Sequence, residues 1–265
     1  MRLIQILFNY TPHFKGKLRI ARFLVLRKNK QVTFITPNRI LYTVPNLIEN
    51  VSFELFINGI YEKKTLEFIC SSIPKNGVFV DVGANIGAIC IEVARVRPDV
   101  KVYAFEASPR VFEYLAKNIN QNGILNIEIF NLAIHDQGGL ELPFFSPVDL
   151  NGKGSFSPIF TKKSETVRTI RLDDFFNSQI ITPNFIKVDV EGFEMLIFKS
   201  LSNVHLKDCI LFFEFVDWAE SAANFKVGEA QKYLLDMGFK LKRFSNNEIL
   251  KNQLMRGADM IVAEL

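Results

Sequence analysis

Residues 78–88 read Val-Phe-Val-Asp-Val-Gly-Ala-Asn-Ile-Gly-Ala. An apolar, β-branched run ends in Asp81, a turn holds Gly83 and Gly87, and a helical pattern follows near 87–96. Gly83 permits a turn that a side chain would obstruct, and it lets a ligand approach the backbone closely. Exposed amides at the start of a helix favour an electron-rich ligand group. The stretch is not the dinucleotide fingerprint, because Ala84-Asn85 follows Gly83 where G-x-G-x-x-G needs its second glycine. That difference favours a cofactor without a pyrophosphate. A strand–turn–helix with no ligand is the plainer alternative.

Twenty-three residues after Gly83, the run Val102-Tyr-Ala-Phe-Glu-Ala-Ser-Pro ends a second strand in Glu106. An acid at that place accepts hydrogen bonds from both ribose hydroxyls of an adenosine, and it disfavours a 2′-phosphate. Further β-rich runs lie at 127–132, 184–190 and 209–215, and helical patterns near 109–122 and 193–201. Ser108 before Pro109, with Gly123 beyond, supplies start and stop signals for the first of those helices. Repeated strand–helix–strand units predict an α/β fold with a doubly wound, mostly parallel sheet.

Helix 227–237 and strands 239–245 and 258–265 predict an antiparallel C-terminal strand pair at the sheet edge. Upstream, residues 31–45 read as a hairpin around Pro37-Asn38, and residues 62–73 as a helix. The reading is an N-terminal basic hairpin extension, 1–61, on a catalytic domain, 62–265. Residues 138–183 form a long connection with one strand candidate at 166–172, and a connection that long commonly carries function.

The run Ile186-Lys-Val-Asp-Val-Glu-Gly-Phe-Glu adds charge to a central strand. Strand alternation puts Lys187, Asp189 and Glu191 on one face, opposite Ile186, Val188 and Val190. Three charges on one face of an apolar strand are costly unless paired or used. Glu214 ends the next strand, so the carboxylates converge if these strands neighbour the first. A Lys–Asp ion pair closing the sheet edge is the alternative.

With 265 residues, 48% apolar and 23% charged, the chain has the composition of a globular protein rather than a disordered one. Three scattered cysteines make neither a disulfide framework nor a zinc site, which predicts a reducing, cytoplasmic setting. No apolar run approaches a membrane span, and Asn9, Tyr10 and Pro12 after the short first apolar stretch do not resemble a secretory leader. Residues 1–50 hold nine basic residues and one acid, while residues 51–265 are net −4. An acidic body with no basic–aromatic strip argues against nucleic acid as a partner. Leu18, Ile20, Phe23, Leu24 and Leu26 interleave with the basic charge, so residues 1–30 are expected to touch an anionic membrane peripherally, to dock on an acidic partner, or to be a solvated appendage.

The ordered set VDVGANIG, AFEASP, NLAIHD, RLDDFF, FIKVDVEGFE and LFFEF resembles the FkbM-like family of S-adenosylmethionine-dependent methyltransferases over roughly residues 50–215. Asn58-Gly-Ile-Tyr-Glu62 resembles the segment preceding the glycine turn in that family. The resemblance implies a class I, Rossmann-like methyltransferase fold and S-adenosyl-L-methionine as cofactor. It implies Asp81, Gly83, Asn85 and Gly87 at the methionine side, Glu106 at the ribose, and Ala107 and Ser108 by the adenosine. Asn131 and Ala133 would lie near the adenine, with Tyr61 and Glu62 closing over the cofactor.

The implied reaction is methyl transfer to a hydroxyl of a sugar, glycan or secondary metabolite. In-line displacement leaves positioning as a main task, with a base to take the hydroxyl proton. Asp189 or Glu191 is the expected base, Glu214 a substrate binder or second candidate, and Lys187 their orienting partner. Asp173 and Asp174 are expected to hold the long connection against the site or to cap a turn. Several of these acids together could also hold a divalent metal, although no His-containing ligand spacing argues for one and none is assigned. Trp218 offers an acceptor wall, and His135 reads as a half-exposed loop histidine. The rival readings are an NAD-dependent oxidoreductase and a non-catalytic protein that binds an adenosine ligand.

Overall fold

The computed structural model describes residues 2–12, 14–25 and 30–265. Leu26, Arg27 and Lys28 of the basic N-terminal stretch lie outside the described residues. Two helices, α1 (Arg2–Tyr10) and α2 (Lys17–Leu24), precede the hairpin β1 (Val32–Ile35) and β2 (Leu41–Val44). Then come α3 (Asn50–Asn58) and α4 (Lys63–Ser72), and the alternating units begin. These are β3 (Val78–Val82), α5 (Cys90–Val96), β4 (Lys101–Phe105), α6 (Pro109–Gln121) and β5 (Ile127–Phe130).

The long connection holds β6 (Ala133–Ile134), β7 (Glu141–Phe144), β8 (Glu165–Ile170) and α7 (Leu172–Gln179). The chain ends with β9 (Phe185–Val188), α8 (Glu194–Lys199), β10 (Ile210–Val216), α9 (Asp217–Ala222), α10 (Glu229–Asp236), β11 (Lys240–Arg243), β12 (Ile249–Leu250) and β13 (Ala258–Glu264).

The main sheet runs β12-β11-β13-β10-β9-β3-β4-β5. Strands β10, β9, β3, β4 and β5 pair in parallel, and β13 is antiparallel to both β10 and β11. The fold is the doubly wound, Rossmann-like α/β class with the antiparallel tail expected of it. The tail differs in one respect: β13 inserts between β10 and β11, and the short β12 takes the edge. A strand laid between two others satisfies its amides on both sides, which an edge pair leaves half open.

Alternation along the parallel strands splits the apolar core into two layers. Phe79, Phe185 and Phe212 face the layer built with α3, α4, α5 and α6, while Val80, Ile186 and Phe213 face the layer built with α7, α8 and α10. Phe185 packs on Phe79 and Phe212 at centroid separations of 5.9 and 6.0 Å. Each such buried ring contributes roughly 1.5–3 kcal/mol. Ser108 caps α6 by accepting from the Val111 amide, with Pro109 in the first turn, as the sequence signals predict.

The third strand and helix α3 depart from the sequence reading. The third strand ends at Phe130, and Ala133–Ile134 pairs instead with β8 in a separate three-stranded sheet. Helix α3 carried no amphipathic signal because it is buried nearly all round, through Val51, Ser52, Phe53, Leu55, Phe56 and Ile57. Its first turn is closed by the Glu49 side chain, which accepts from the Ser52 amide at 3.0 Å. The hairpin is fastened to α6, where Asn118 accepts from the Thr43 amide at 2.7 Å and Asn122 from the Leu41 amide at 2.8 Å.

Candidate functional site

From β3 the chain moves outward through β4 to β5, then returns to the other side of β3 for β9 and β10. At that reversal the loops beyond the two central strands splay apart, and a crevice opens at their carboxyl ends. A cavity of about 290 Å³ lies there. Tyr61, Glu62, Asp81, Gly83, Asn85, Glu106, Ala107, Ala133, Lys187, Asp189, Glu191 and Glu214 all line it.

Gly83 has φ +83°, and a Cβ there would meet the Asp189 carbonyl oxygen at 2.0 Å, so the turn after β3 admits only glycine without moving backbone. The Gly83 and Ala84 amides both donate to the Phe105 carbonyl, at 3.0 and 2.9 Å, which binds the turn to the end of β4. Glu106 follows directly. Its two oxygens accept from the Asn85 and Ser108 amides, each at 2.9 Å. Burial pushes its carboxyl up to about 7, against those two amides. Each oxygen keeps a further lone pair.

Three of the expected positions do not line the cavity. Gly87 is a packing glycine: a Cβ there would meet Ile91 at 2.7 Å and Leu115 at 2.9 Å. Ser108 turns its hydroxyl to Glu165 Oε2 at 2.6 Å. Asn131 donates to the Glu106 and Ala107 carbonyls at 2.9 and 3.0 Å, bracing the loop after β4 from behind. All three shape the turns that carry lining residues.

Asp81 and Lys187 are register partners on β3 and β9. The Lys187 ammonium lies 3.4 Å from Asp81 Oδ1 and 3.4 Å from Asp189 Oδ2. Burial opposes its charge, but the two carboxylates outweigh burial and hold it protonated above its ordinary range. Burial raises Asp81, and the Lys187 ammonium opposes that. This pair sits in the centre of the sheet, not at an edge.

The alternation argument fails for Glu191. Strand β9 stops at Val188, and Glu191 stands in the following turn at φ +54°, with Gly192 at φ +96°. That turn, rather than the pleat, swings Glu191 over Asp189. Carboxyl oxygens of Asp189, Glu191 and Glu214 then come within 4.8 Å of one another. Burial and the Asp189 carboxylate push Glu191 up to about 7, and Lys153 opposes them. For Glu214 the Asp189 carboxylate acts first and burial second, raising it to about 9.

Lys153, Glu49 and the aromatic side of the cavity escaped the sequence reading. Lys153 comes from the short 3-10 turn Asn151–Lys153 in the long connection, and its ammonium meets Glu191 Oε1 at 2.5 Å. It also lies 5.8 Å from the ring centroid of Trp218, which is 46% exposed and edge-on to Phe160. Phe144, Phe156 and Phe193 line the cavity itself, while Trp218 and Phe160 stand outside its lining, beside Lys153. For Lys153 only the length of the connection hinted at this, whereas Trp218 is the residue that the sequence offered as an acceptor wall. Asp173 is elsewhere: it takes Arg171 and Asn203, and its amide donates to the Ser200 carbonyl. His135 packs edge-on against Phe156, and burial lowers its pKa.

The methyltransferase FkbM domain matches residues 81–241. The chain is 30% identical over 146 residues to the hexuronic acid methyltransferase AglP of Haloferax volcanii, covering 54% of this chain and 57% of that protein. It is 26% identical over 157 residues to the 31-O-demethyl-FK506 methyltransferase FkbM of Streptomyces tacrolimicus, covering 59% and 56%. The chain therefore spans a little over half the length of either relative. A crystal structure of a SAM-dependent O-methyltransferase from Thermotoga maritima aligns with a TM-score of 0.46 and 14% identity, over 90% of this chain and 93% of that one. The match to the family covers more than half the chain, and it includes the glycine turn, Glu106 and the carboxylate cluster. The chain belongs to the FkbM-domain methyltransferases, a family of methyl transfer rather than of hydride transfer.

Proposed function

We propose that the protein transfers a methyl group from S-adenosyl-L-methionine to a hydroxyl of a sugar, glycan or secondary-metabolite acceptor. The observation that carries this reading is the buried Glu106 carboxylate, set by two backbone amides at the mouth of the β3 turn. Its free lone pairs suit the vicinal hydroxyls of a ribose. Asn85 Oδ1 is buried without a hydrogen-bond partner, and Asp81 Oδ1 has only the Lys187 ammonium at 3.4 Å, which suits a ligand that brings its own donors. Seven carboxyl groups face two lysines around the cavity, a field that attracts a cation. When bound, the cofactor supplies an electrophilic methyl group on a sulfonium.

The same field distinguishes acceptors. A carboxylate nucleophile would be repelled by the cluster, whereas a hydroxyl is neutral and has a proton to lose. Glu191 takes that proton, Glu214 holds the acceptor through its own proton, and Lys187 fixes Asp189 between them. One relative is named for 31-O-demethyl-FK506, an oxygen acceptor, and the other for a hexuronic acid, which carries hydroxyls as well as the carboxylate that this field disfavours.

Calorimetric titration with S-adenosylmethionine is the direct test. Micromolar binding is expected, and Glu106→Ala should weaken it by about two orders of magnitude or more, since two hydrogen bonds to a charged group are lost at ~1.5–3 kcal/mol each. Binding of NAD in its place would defeat the reading. Trp218 and Phe160 form the exposed aromatic wall beside the cluster. Trp218→Ala is expected to raise the acceptor KM about tenfold while leaving cofactor affinity unchanged, measured by steady-state kinetics.

A further inference from the structure

Helix α1 turns Gln5, Phe8 and Asn9 inward. Gln5 donates to the Ile35 carbonyl at 2.9 Å, and Asn9 donates to the carbonyls of Phe56 and Ile57 at 3.0 and 2.9 Å. The positions left outside are Leu3, Ile6, Leu7 and Tyr10, at i, i+3, i+4 and i+7, and all four are exposed. Helix α2 repeats the pattern with Ile20, Phe23 and Leu24. Among the described residues twenty large apolar side chains are exposed, and eight of them fall within residues 3–24. A water-facing helix carries the opposite arrangement.

Positive charge surrounds this apolar face. Arg2, Lys15, Arg19 and Lys30 are exposed, and residues 1–50 contain a single acid, Glu49, which is buried. Beside α1, a groove of about 730 Å³ runs along the hairpin. Ile6, Val32, Ile35 and Leu41 line it together with Arg2 and Lys30. Apolar walls with two cations fit a molecule that has an apolar tail and an anionic head. A second copy of the chain would bring the same positive field against itself, so charge disfavours self-association.

We infer that α1 and α2 form a membrane-docking face that takes an anionic lipid surface. Leu3, Ile6, Leu7, Tyr10 and Phe23 enter the headgroup boundary, and the exposed arginines and lysines meet lipid phosphates. No helix among the described residues is long and apolar enough to cross a membrane, so the contact is in the plane of the surface. The inference stands independently of methyl transfer, because its readout needs no turnover.

The test is flotation of the full chain with vesicles of phosphatidylcholine containing about 30% phosphatidylglycerol, against pure phosphatidylcholine. The chain should float with the anionic vesicles and be released as salt rises from about 0.05 to about 0.5 M, where the screening length shrinks to a few ångströms. Leu7→Glu with Phe23→Glu should cut the bound fraction at least tenfold. These side chains are 66% and 92% exposed, so the melting temperature should not change. Equal flotation of wild type and variant, equal binding to neutral vesicles, or no binding by the wild type would each overturn the inference. So would a dimer, seen by light scattering and lost in the variant, in a chain that ignores vesicles.

Discussion

Glu191→Gln is expected to lower kcat by about 10²–10⁴-fold while leaving S-adenosylmethionine affinity within a few-fold of wild type. One Glu191 oxygen is tied to Lys153, and the other, Oε2, is buried with no partner in the protein. That free oxygen is the one available to an acceptor hydroxyl. With its carboxyl pushed up to about 7, Glu191 is a base poised near neutral pH. Glu214, pushed up to about 9, still carries its proton there and donates.

The pH profile should therefore be a bell with limbs near 7 and 9, belonging to the coupled pair rather than to single groups. Either Glu191→Gln or Glu214→Gln should collapse the two-limbed profile to a single limb and move its midpoint. If Asp189→Asn abolishes turnover and Glu191→Gln does not, Asp189 is the base.

Both carboxyls stand above their ordinary value of 4.5, so the folded chain holds protons that the unfolded chain has released. Their contribution to stability is complete below about pH 4.5 and is lost as pH rises through 7 to 9. Denaturant midpoints compared at the two ends of that window give the sign.

Lys187→Met is expected to cost about 3–5 kcal/mol of stability, because it strands the buried Asp81 carboxylate in the middle of the sheet. At about 2–4 °C per kcal/mol for a chain of this size, the melting temperature should fall by about 6–20 °C. Asp81→Asn in the same chain removes the stranded charge, and the double variant should recover much of the loss. A double variant as unstable as the single one would mean that lost lysine packing, not the orphaned charge, carries the effect. Differential scanning calorimetry of the three variants separates these outcomes. Cofactor binding should stay weak in the double variant even where stability returns, since Asp81 and Lys187 both line the cavity.

The order of parallel units was legible because each signal was local. Apolar runs of the right length ended in Asp81 and Glu106, Gly83 and Gly87 marked the turn, and Ser108-Pro109 marked a helix start. Chemistry confined to a strand and its following turn is written in neighbouring residues. Three helices resisted for opposite reasons. Helix α3 is buried nearly all round and shows no clear period, and α1 and α2 carry their apolar stripe on the outside, where a period predicts burial.

By itself the sequence determined the α/β class, the family, and the residues at the carboxyl ends of the central strands, since these follow from composition, period and short motifs. The tertiary structure alone decided how the charges meet. Register across β3 and β9 pairs Asp81 with Lys187. A left-handed turn, not strand alternation, carries Glu191 into the cluster, and a 3-10 turn 38 residues upstream delivers Lys153 to it. Gly87, Ser108 and Asn131 fell behind the cavity wall because their bonds are to packing and loop partners that no local pattern records. Contacts between residues distant in sequence are set by the packing of layers, and a pattern a few residues long holds no information about them.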